Sequence, residues 1–313
     1  MKLLITGATG FIGSALIEYF SKTQNVYLVG MVRSMDAVST ESNIEFRLGE
    51  LGSSHKMSIY LNDIDVIVHT AGRAHIMSDN SINPIDEFRR INTFGTLELA
   101  SLAVEAGVKR FIFLSSIKVN GEATDLGSPF SIKDIEQPHD AYGVSKHEAE
   151  IGLREISKQT DMEITIIRLP LVYGLGVKGN FNDLIAILAL RVPLPLALIT
   201  NNRRSLVGLD NLLSLISRCV THPRAANQTF FVSDNYDLST YTLLKLLGRS
   251  IEKPAILFRF PIYLLRLIAK ISNMETRIQR LIGTLQVDIS HTCSLLDWKP
   301  PCSVEQGLKK LKK

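Results

Sequence analysis

The chain has 313 residues, 45% hydrophobic and 21% charged, enough to bury a large core as one large domain or two intimate ones. Its 35 basic and 31 acidic residues leave a net charge of +4, too small an excess for nucleic-acid binding, and no basic run is interleaved with aromatics. Cys219, Cys293 and Cys302 have no metal-ligand spacing and fit reduced thiols in a cytoplasm, and the apolar run before Thr6 and Gly7 is too short for a signal peptide.

Lys2 to Thr6 reads as a short apolar strand. It runs into Gly7, Gly10 and Gly13 at three-residue spacing, and a helical pattern follows from Ser14 to Phe20. A strand, a glycine turn and a helix form a seat for a dinucleotide pyrophosphate. The glycines let the backbone come close, and the helix N-terminus presents free N–H groups with a partial positive charge. The spacing is G-x-x-G-x-x-G rather than G-x-G-x-x-G, and a glycine-rich turn that binds nothing has the same pattern. Further strands follow in "NVYLVGMVR", "IEFRLGEL", "DVIVHTAG", "RFIFLSS" and "EITIIRLPLVYG". Helical stretches, "DEFRRINTFGTLELASLAVEAG" and "YGVSKHEAEIGLREISKQT", separate the later ones. Apolar strands alternating with helices predict an α/β fold, a doubly wound parallel sheet with ligands at its carboxyl ends.

After Pro170 the rhythm changes. Prolines cluster in "RVPLPLAL", while "RRSLVGLDNLLSLISRCV" reads as a strand and helix that return to the sheet. The expected division is a dinucleotide-binding domain over residues 1–169, rejoined by 203–226. A smaller cap over 170–202 and 227–313 would cover the strand ends. "AILFRFPIYLLRLIAKI" is strongly apolar, but Arg259, Arg266, Lys270 and Pro261 interrupt it, so it does not span a bilayer. It reads as a helix packed on the core, with an interfacial helix as the second reading.

"YGVSKHEAE" places Tyr142 and Lys146 four apart on one face of a helix. A tyrosine hydroxyl with its ordinary pKa of about 10 is a poor acid or base at neutral pH. A lysine one turn away is expected to lower it, although Y-x-x-x-K is also a common pair on helix surfaces. Ser115 and Ser116 end the fifth strand and Tyr142 opens the next helix, so both face the crevice beside the glycine loop. A hydroxyl donor, a tyrosine and a lysine beside a dinucleotide suit hydride transfer between carbonyl and alcohol.

Taken in order, "TGATGFIG", "HTAG", Asn92 in "RRINTFGT", "FLSS", "YGVSK" and "RLPLVYG" resemble the extended short-chain dehydrogenase/reductase family. The likeness is to its nucleotide-sugar epimerase, dehydratase and reductase branch and covers nearly the whole chain. "LLDWKPPCSVEQGL" resembles that branch's closing L-G-W-x-P segment, with Asp297 in place of the glycine. The resemblance implies a Rossmann-type fold with Tyr142 as acid/base and Lys146 on the nicotinamide ribose, tuning Tyr142. Ser116, four residues before Asn120, is implied to hold the sugar oxygen. Thr6 to Gly13, including Thr9, Phe11 and Ile12, are implied to form the pyrophosphate loop, and Ala71 and Gly72 to line the cofactor. On the substrate side it implies a UDP-sugar whose diphosphate meets Asn180 and Arg204, with Lys118 as a further contact. Arg203 is the second candidate beside Arg204. Arg280 is either another phosphate ligand or a solvated helix charge. A homodimer is implied too, through helices near residues 86–105 and 142–158.

Two departures bear on activity. The branch's dehydratases carry an aspartate and a glutamate directly after the active-site hydroxyl, where this chain has Ile117, which cannot do proton chemistry, and Lys118, either a substrate contact or an exposed lysine; this argues against dehydration. The second strand ends in "LVGMVRS" without the acid that accepts from an NAD ribose, and Arg33 and Ser34 suit the 2′-phosphate of NADP. The cofactor is therefore read as NADP or NAD. The resulting expectation is an NAD(P)H-dependent reductase of a UDP-4-keto-6-deoxy-N-acetylhexosamine, in surface-polysaccharide biosynthesis. The alternative is a UDP-glucose or UDP-N-acetylglucosamine 4-epimerase with bound NAD. A non-catalytic NAD(P) sensor is the third reading, against which the intact Ser116, Tyr142 and Lys146 argue.

Overall fold

A computed structural model describes residues 1–37, 44–53, 60–74, 83–177, 179–272 and 274–311. The first strand, β1 (Lys2–Thr6), is buried from Leu3 onward, which is why it is apolar on both faces. It is followed by α1 (Phe11–Ser21), β2 (Tyr27–Val32), β3 (Ile44–Leu48), β4 (Val66–His69) and α2 (Pro84–Phe88). A π-helical turn, Arg89–Phe94, leads into α3 (Gly95–Glu105), then β5 (Arg110–Ser116), α4 (Ala141–Gln159) and β6 (Glu163–Leu169). The strands lie in the order β3-β2-β1-β4-β5-β6 and every neighbouring pair is parallel, the doubly wound arrangement expected. Strand order reverses between β1 and β4, so a crevice opens beyond their carboxyl ends.

"EITIIRLPLVYG" does not run as one strand. Pro170 offers no N–H to the ladder, so β6 stops at Leu169. Leu171–Tyr173 (β7) turns away and pairs with β8 (Leu206–Gly208) in a separate two-stranded sheet, with α5 (Asn180–Ala189) between them in the chain. Next, α6 (Leu209–Thr221) buries Leu212, Leu213 and Ile216 against Leu16 and Phe20 of α1. The following four residues correct the expected division. Gln228–Phe231 (β9) lies in a segment assigned above to the cap, yet it pairs with β6 as the seventh strand of the main sheet. "QTFF" is too short to announce itself by pattern.

The remaining helices are α7 (Thr240–Ser250), α8 (Ile262–Ile271), α9 (Glu275–Ile282), α10 (Ser290–Leu296) and α11 (Val304–Lys309). Around Tyr173, Phe181, Leu196 and Leu238, parts of α5, α7, α8 and α11 build a third apolar core, separate from the two that cover the faces of the sheet. α10 instead returns to the sheet, where the Thr292 hydroxyl donates to the Phe231 carbonyl at 2.6 Å. It ends at Asp297 with φ +47°, a left-handed cap that explains why the related sequences place glycine there.

Candidate active site

The crevice between β1 and β4 is built by Thr6 and the glycine turn. The Thr6 hydroxyl accepts from the Thr70 and Ala71 amides, both at 3.1 Å. Its own proton is thereby directed to His69 Nδ1, 2.7 Å away, and His69 Nε2–H then donates to the Thr96 hydroxyl at 3.0 Å. Burial, aided by the nearby Lys146 charge, holds the imidazole neutral down to about 3. His69 is a structural post that locks Ala71 and Gly72 beside the glycine loop. Gly7 has φ +65°, and a Cβ on Gly13 would collide with the Gly7 carbonyl. These two glycines are dictated by geometry: one allows the turn and the other the packing of helix on loop. Gly10 caps α1 with no side-chain acceptor, leaving the N–H groups of Phe11, Ile12 and Gly13 free to meet an anion. Thr9 is exposed beside them.

Across the crevice, Ser116 closes β5 and Tyr142 opens α4, whose first turn is capped by Asp140 accepting from the Gly143 amide at 2.7 Å. The Ser116 hydroxyl lies near enough to Tyr142 to act on its phenol, and it accepts from the Lys118 amide at 3.2 Å. Lys146, one turn on and buried, donates to the Leu114 carbonyl at 3.0 Å and lies 4.4 Å from the centre of the Phe113 ring. Burial pushes its ammonium down to about 8, opposed by the Glu150 charge. Lysine was expected to lower the Tyr142 pKa. Instead, burial and then the Asp140 charge push the phenol up to about 12, the Ser116 hydroxyl pulling weakly the other way. The ammonium is turned toward Leu114, so its stabilisation of a phenolate is not felt in the ligand-free protein. Lys118 pairs with Asp140 and with Glu122, the latter at 3.0 Å.

At the cap, Arg204 stands between residues of two other segments, bridged by backbone to Leu238 and Leu285. Its guanidinium is pushed down to about 10 by burial and by the Arg280 charge. A partly buried arginine that feels the charge of a second, exposed one suits an anion. Arg203 is spent elsewhere: its Nη1 donates to the Thr200 and Asn202 carbonyls at 3.0 and 2.9 Å. Asn180 is the first residue of α5; its side chain lies outside the described residues.

The whole of this geometry is a known type. Residues 3–232 match the NAD dependent epimerase/dehydratase family, well over half of the chain. The chain belongs to that family. A Vibrio cholerae relative named UDP-glucose 4-epimerase is 43% identical over 308 residues, covering 98% of this chain and 93% of the relative. An Escherichia coli O157:H7 relative, N-acetyl-alpha-D-glucosaminyl-diphospho-ditrans,octacis-undecaprenol 4-epimerase, is 24% identical over 98% of this chain and 93% of its own. Among solved structures, a Bacillus cereus UDP-glucuronic acid 4-epimerase in complex with NAD superposes with a TM-score of 0.79. It is 21% identical and the match covers 99% of this chain and 97% of that one, which establishes the common fold.

As an epimerase/dehydratase family member, the protein carries an NAD seat, and its residues fit one. The uncapped α1 terminus, the glycine contact and the lysine beside Gly72 converge on one crevice. A Cβ on Gly72 would lie 3.0 Å from Asn92 Oδ1 and 3.4 Å from Lys146 Nζ. Asn92 is a residue whose task the sequence did not disclose. From the π-helical turn it accepts from the Arg73 amide at 2.7 Å and donates to the Arg73 carbonyl and the Ser145 hydroxyl at 3.0 Å each, tying the end of β4 to α4. Beneath Ser115 and Lys146 lies a second group missed by the sequence reading. Glu150 accepts from the Ser115 hydroxyl at 2.5 Å and from Arg168 at 2.6 Å, both ionic groups fully buried. The signals existed: Glu150 is four residues beyond Lys146 on the same helix face, and Arg168 is a lone cation in an apolar strand. Beyond the end of β2, Ser34 donates to Asp36 at 3.0 Å, the acid being brought back by the short helical turn Met35–Ala37. Arg33 is exposed.

Proposed function

We propose that the protein is a UDP-sugar 4-epimerase that keeps NAD bound, with UDP-glucose or UDP-N-acetylglucosamine as substrate. The observation that carries this reading is the 43% identity to UDP-glucose 4-epimerase over nearly the full length of both chains. It favours the epimerase over the reductase expected from Arg33 and Ser34. The Asp36 carboxylate on the Ser34 hydroxyl points the same way, since it would repel a 2′-phosphate. Dehydration stays disfavoured, because Ile117 has no proton to exchange and Lys118 is held by two carboxylates.

In this reading Thr9 to Gly13 receive the pyrophosphate, Ala71 and Gly72 line the cofactor and Lys146 meets its ribose. Bound NAD supplies the acceptor and donor for one hydride at C4 of the sugar. Tyr142 removes the C4 hydroxyl proton and later returns it, and Ser116 orients that oxygen. A phenol pushed up to about 12 needs a positive charge beside it to act as base near neutral pH, a charge that the nicotinamide of bound NAD would supply. Arg204 and Arg280 clamp the diphosphate and leave the sugar free to turn over. The two-domain division and a homodimer through α3 and α4 belong to the same proposal; Phe94 and Ile151, at the start of α3 and on α4, are 62% and 48% exposed.

Purified protein given UDP-glucose without added cofactor is expected to form UDP-galactose, with UDP-N-acetylglucosamine run in parallel and products read by NMR. Failure to convert either sugar, together with NADPH consumption on a UDP-4-keto-6-deoxy sugar, would restore the reductase.

A further inference from the structure

α8 has three faces. Leu265 and Ala269 are buried in the cap core. On a second face Tyr263, Leu267, Ile268 and Ile271 are 70%, 52%, 52% and 77% exposed. Along the edge between them run Arg266 and Lys270, exposed and without a carboxylate partner among the described residues. The chain around the helix continues both properties. Ile256 and Phe258 before it and Met274 after it are exposed. Between residues 253 and 280 the sequence has six cations, Lys253, Arg259, Arg266, Lys270, Arg277 and Arg280, against the single carboxylate Glu275.

Large apolar side chains gathered on one exposed helix face mark a docking surface. We propose that this face of α8 docks the protein on an anionic phospholipid bilayer. Its apolar side chains would enter the boundary between headgroups and acyl chains while Arg266 and Lys270 meet lipid phosphates. Charge decides the occupant. A second copy packed on this face about a two-fold axis would bring cations against cations, with one glutamate per copy to relieve them. An anionic bilayer satisfies the apolar and the cationic edge together. The ten-residue helix lies on the membrane and does not cross it, and no helix among the described residues is long and apolar enough to cross.

The test is sedimentation of the full chain with vesicles of phosphatidylcholine alone or mixed with phosphatidylglycerol. The expected result is binding to the anionic vesicles only, weakened by salt. Arg266→Ala and Lys270→Ala should each reduce partitioning by about fivefold. Leu267→Glu combined with Ile271→Glu should reduce it by roughly tenfold or more. Conversion of UDP-sugar in vesicle-free buffer and the near-UV spectrum should stay unchanged in all variants, which separates lost docking from lost folding. Equal binding to neutral vesicles, no binding to anionic ones, or full binding by the double glutamate variant overturns the proposal. A change of oligomeric state in that variant, with lipid binding intact, assigns the face to a second copy and overturns it equally.

Discussion

Arg204→Met is expected to stabilise the ligand-free protein and weaken its hold on UDP. The Arg204 guanidinium is mostly buried, its hydrogen bond to the Gly283 carbonyl is a long 3.4 Å, and Arg280 adds like charge. Together these push it from 12.5 to about 10. The folded value lies below that of the unfolded chain, so the penalty is complete at neutral pH and is relieved only as pH rises through 10. At 1.36 kcal/mol per pH unit, holding the charge costs the fold about 3 kcal/mol. Methionine keeps an apolar stem in the same space and removes the charge, so a gain of about 1–3 kcal/mol follows, or a melting temperature higher by about 2 °C or more. The same change deletes the charge-assisted contact proposed to the diphosphate, worth about 1.5–3 kcal/mol, and UDP affinity should fall ten- to a hundredfold. Thermal unfolding with and without UDP, with titration calorimetry, reads both effects. A variant that melts lower without ligand, or binds UDP as wild type does, would refute the reasoning.

Tyr142→Phe should keep the fold and NAD binding but lose at least about a hundredfold in kcat, and near-wild-type turnover would remove Tyr142 from the acid/base role. Stability should fall with pH below about 6.5, because buried His69 stays neutral to about 3 while the unfolded imidazole takes up a proton. The loss is about 2 kcal/mol by pH 5 in urea unfolding, and a His69→Gln variant should show a flatter dependence; an equal slope in both excludes His69 as its source. Glu150→Gln leaves the buried Arg168 cation with Glu136 as its remaining carboxylate and should cost about 3 kcal/mol, whereas Glu150→Leu with Arg168→Met should recover most of it. A small loss in the single variant, measured by the same unfolding, would mean that the ion pair is not what holds β6 to α4.

Much of the fold is legible because its signals are periodic or geometric. A parallel sheet buried on both faces forces apolar runs, and the turn at Gly7 to Gly13 admits no side chain where helix and loop touch. The readable site residues are those whose spacing places them on one element, as with Tyr142 and Lys146. The rest depends on meetings between distant segments. Nothing in "QTFF" tells that β6 is waiting for a seventh partner. Nothing near Asn92 tells that its amide will clamp Arg73, nineteen residues earlier in the chain. The direction of the Tyr142 shift differs from the expected one for a related reason: spacing places Lys146 one turn away, but does not tell that its ammonium donates to the Leu114 carbonyl or that burial and the Asp140 charge act on the phenol.

The cofactor reading shows how far a local feature carries. Stopping at Arg33 and Ser34, the end of β2 looks made for a phosphate, and a phosphate there implies an exchangeable NADPH and a net reduction. Two residues further, the turn Met35–Ala37 brings Asp36 back onto the Ser34 hydroxyl. A hydroxyl already donating to a carboxylate has only its lone pairs left, and those repel a phosphate oxygen as the carboxylate does. A ribose with free hydroxyls can instead donate to Asp36, the bond that an NAD site offers. A cofactor without the 2′-phosphate removes the argument for a reductase resupplied from outside. The proton and the hydride taken at C4 are then best returned to the same sugar. In the proposed reading, epimerisation asks only for Tyr142, Ser116 and Lys146 on one side of a retained NAD, with Arg204 and Arg280 holding the diphosphate while the sugar turns.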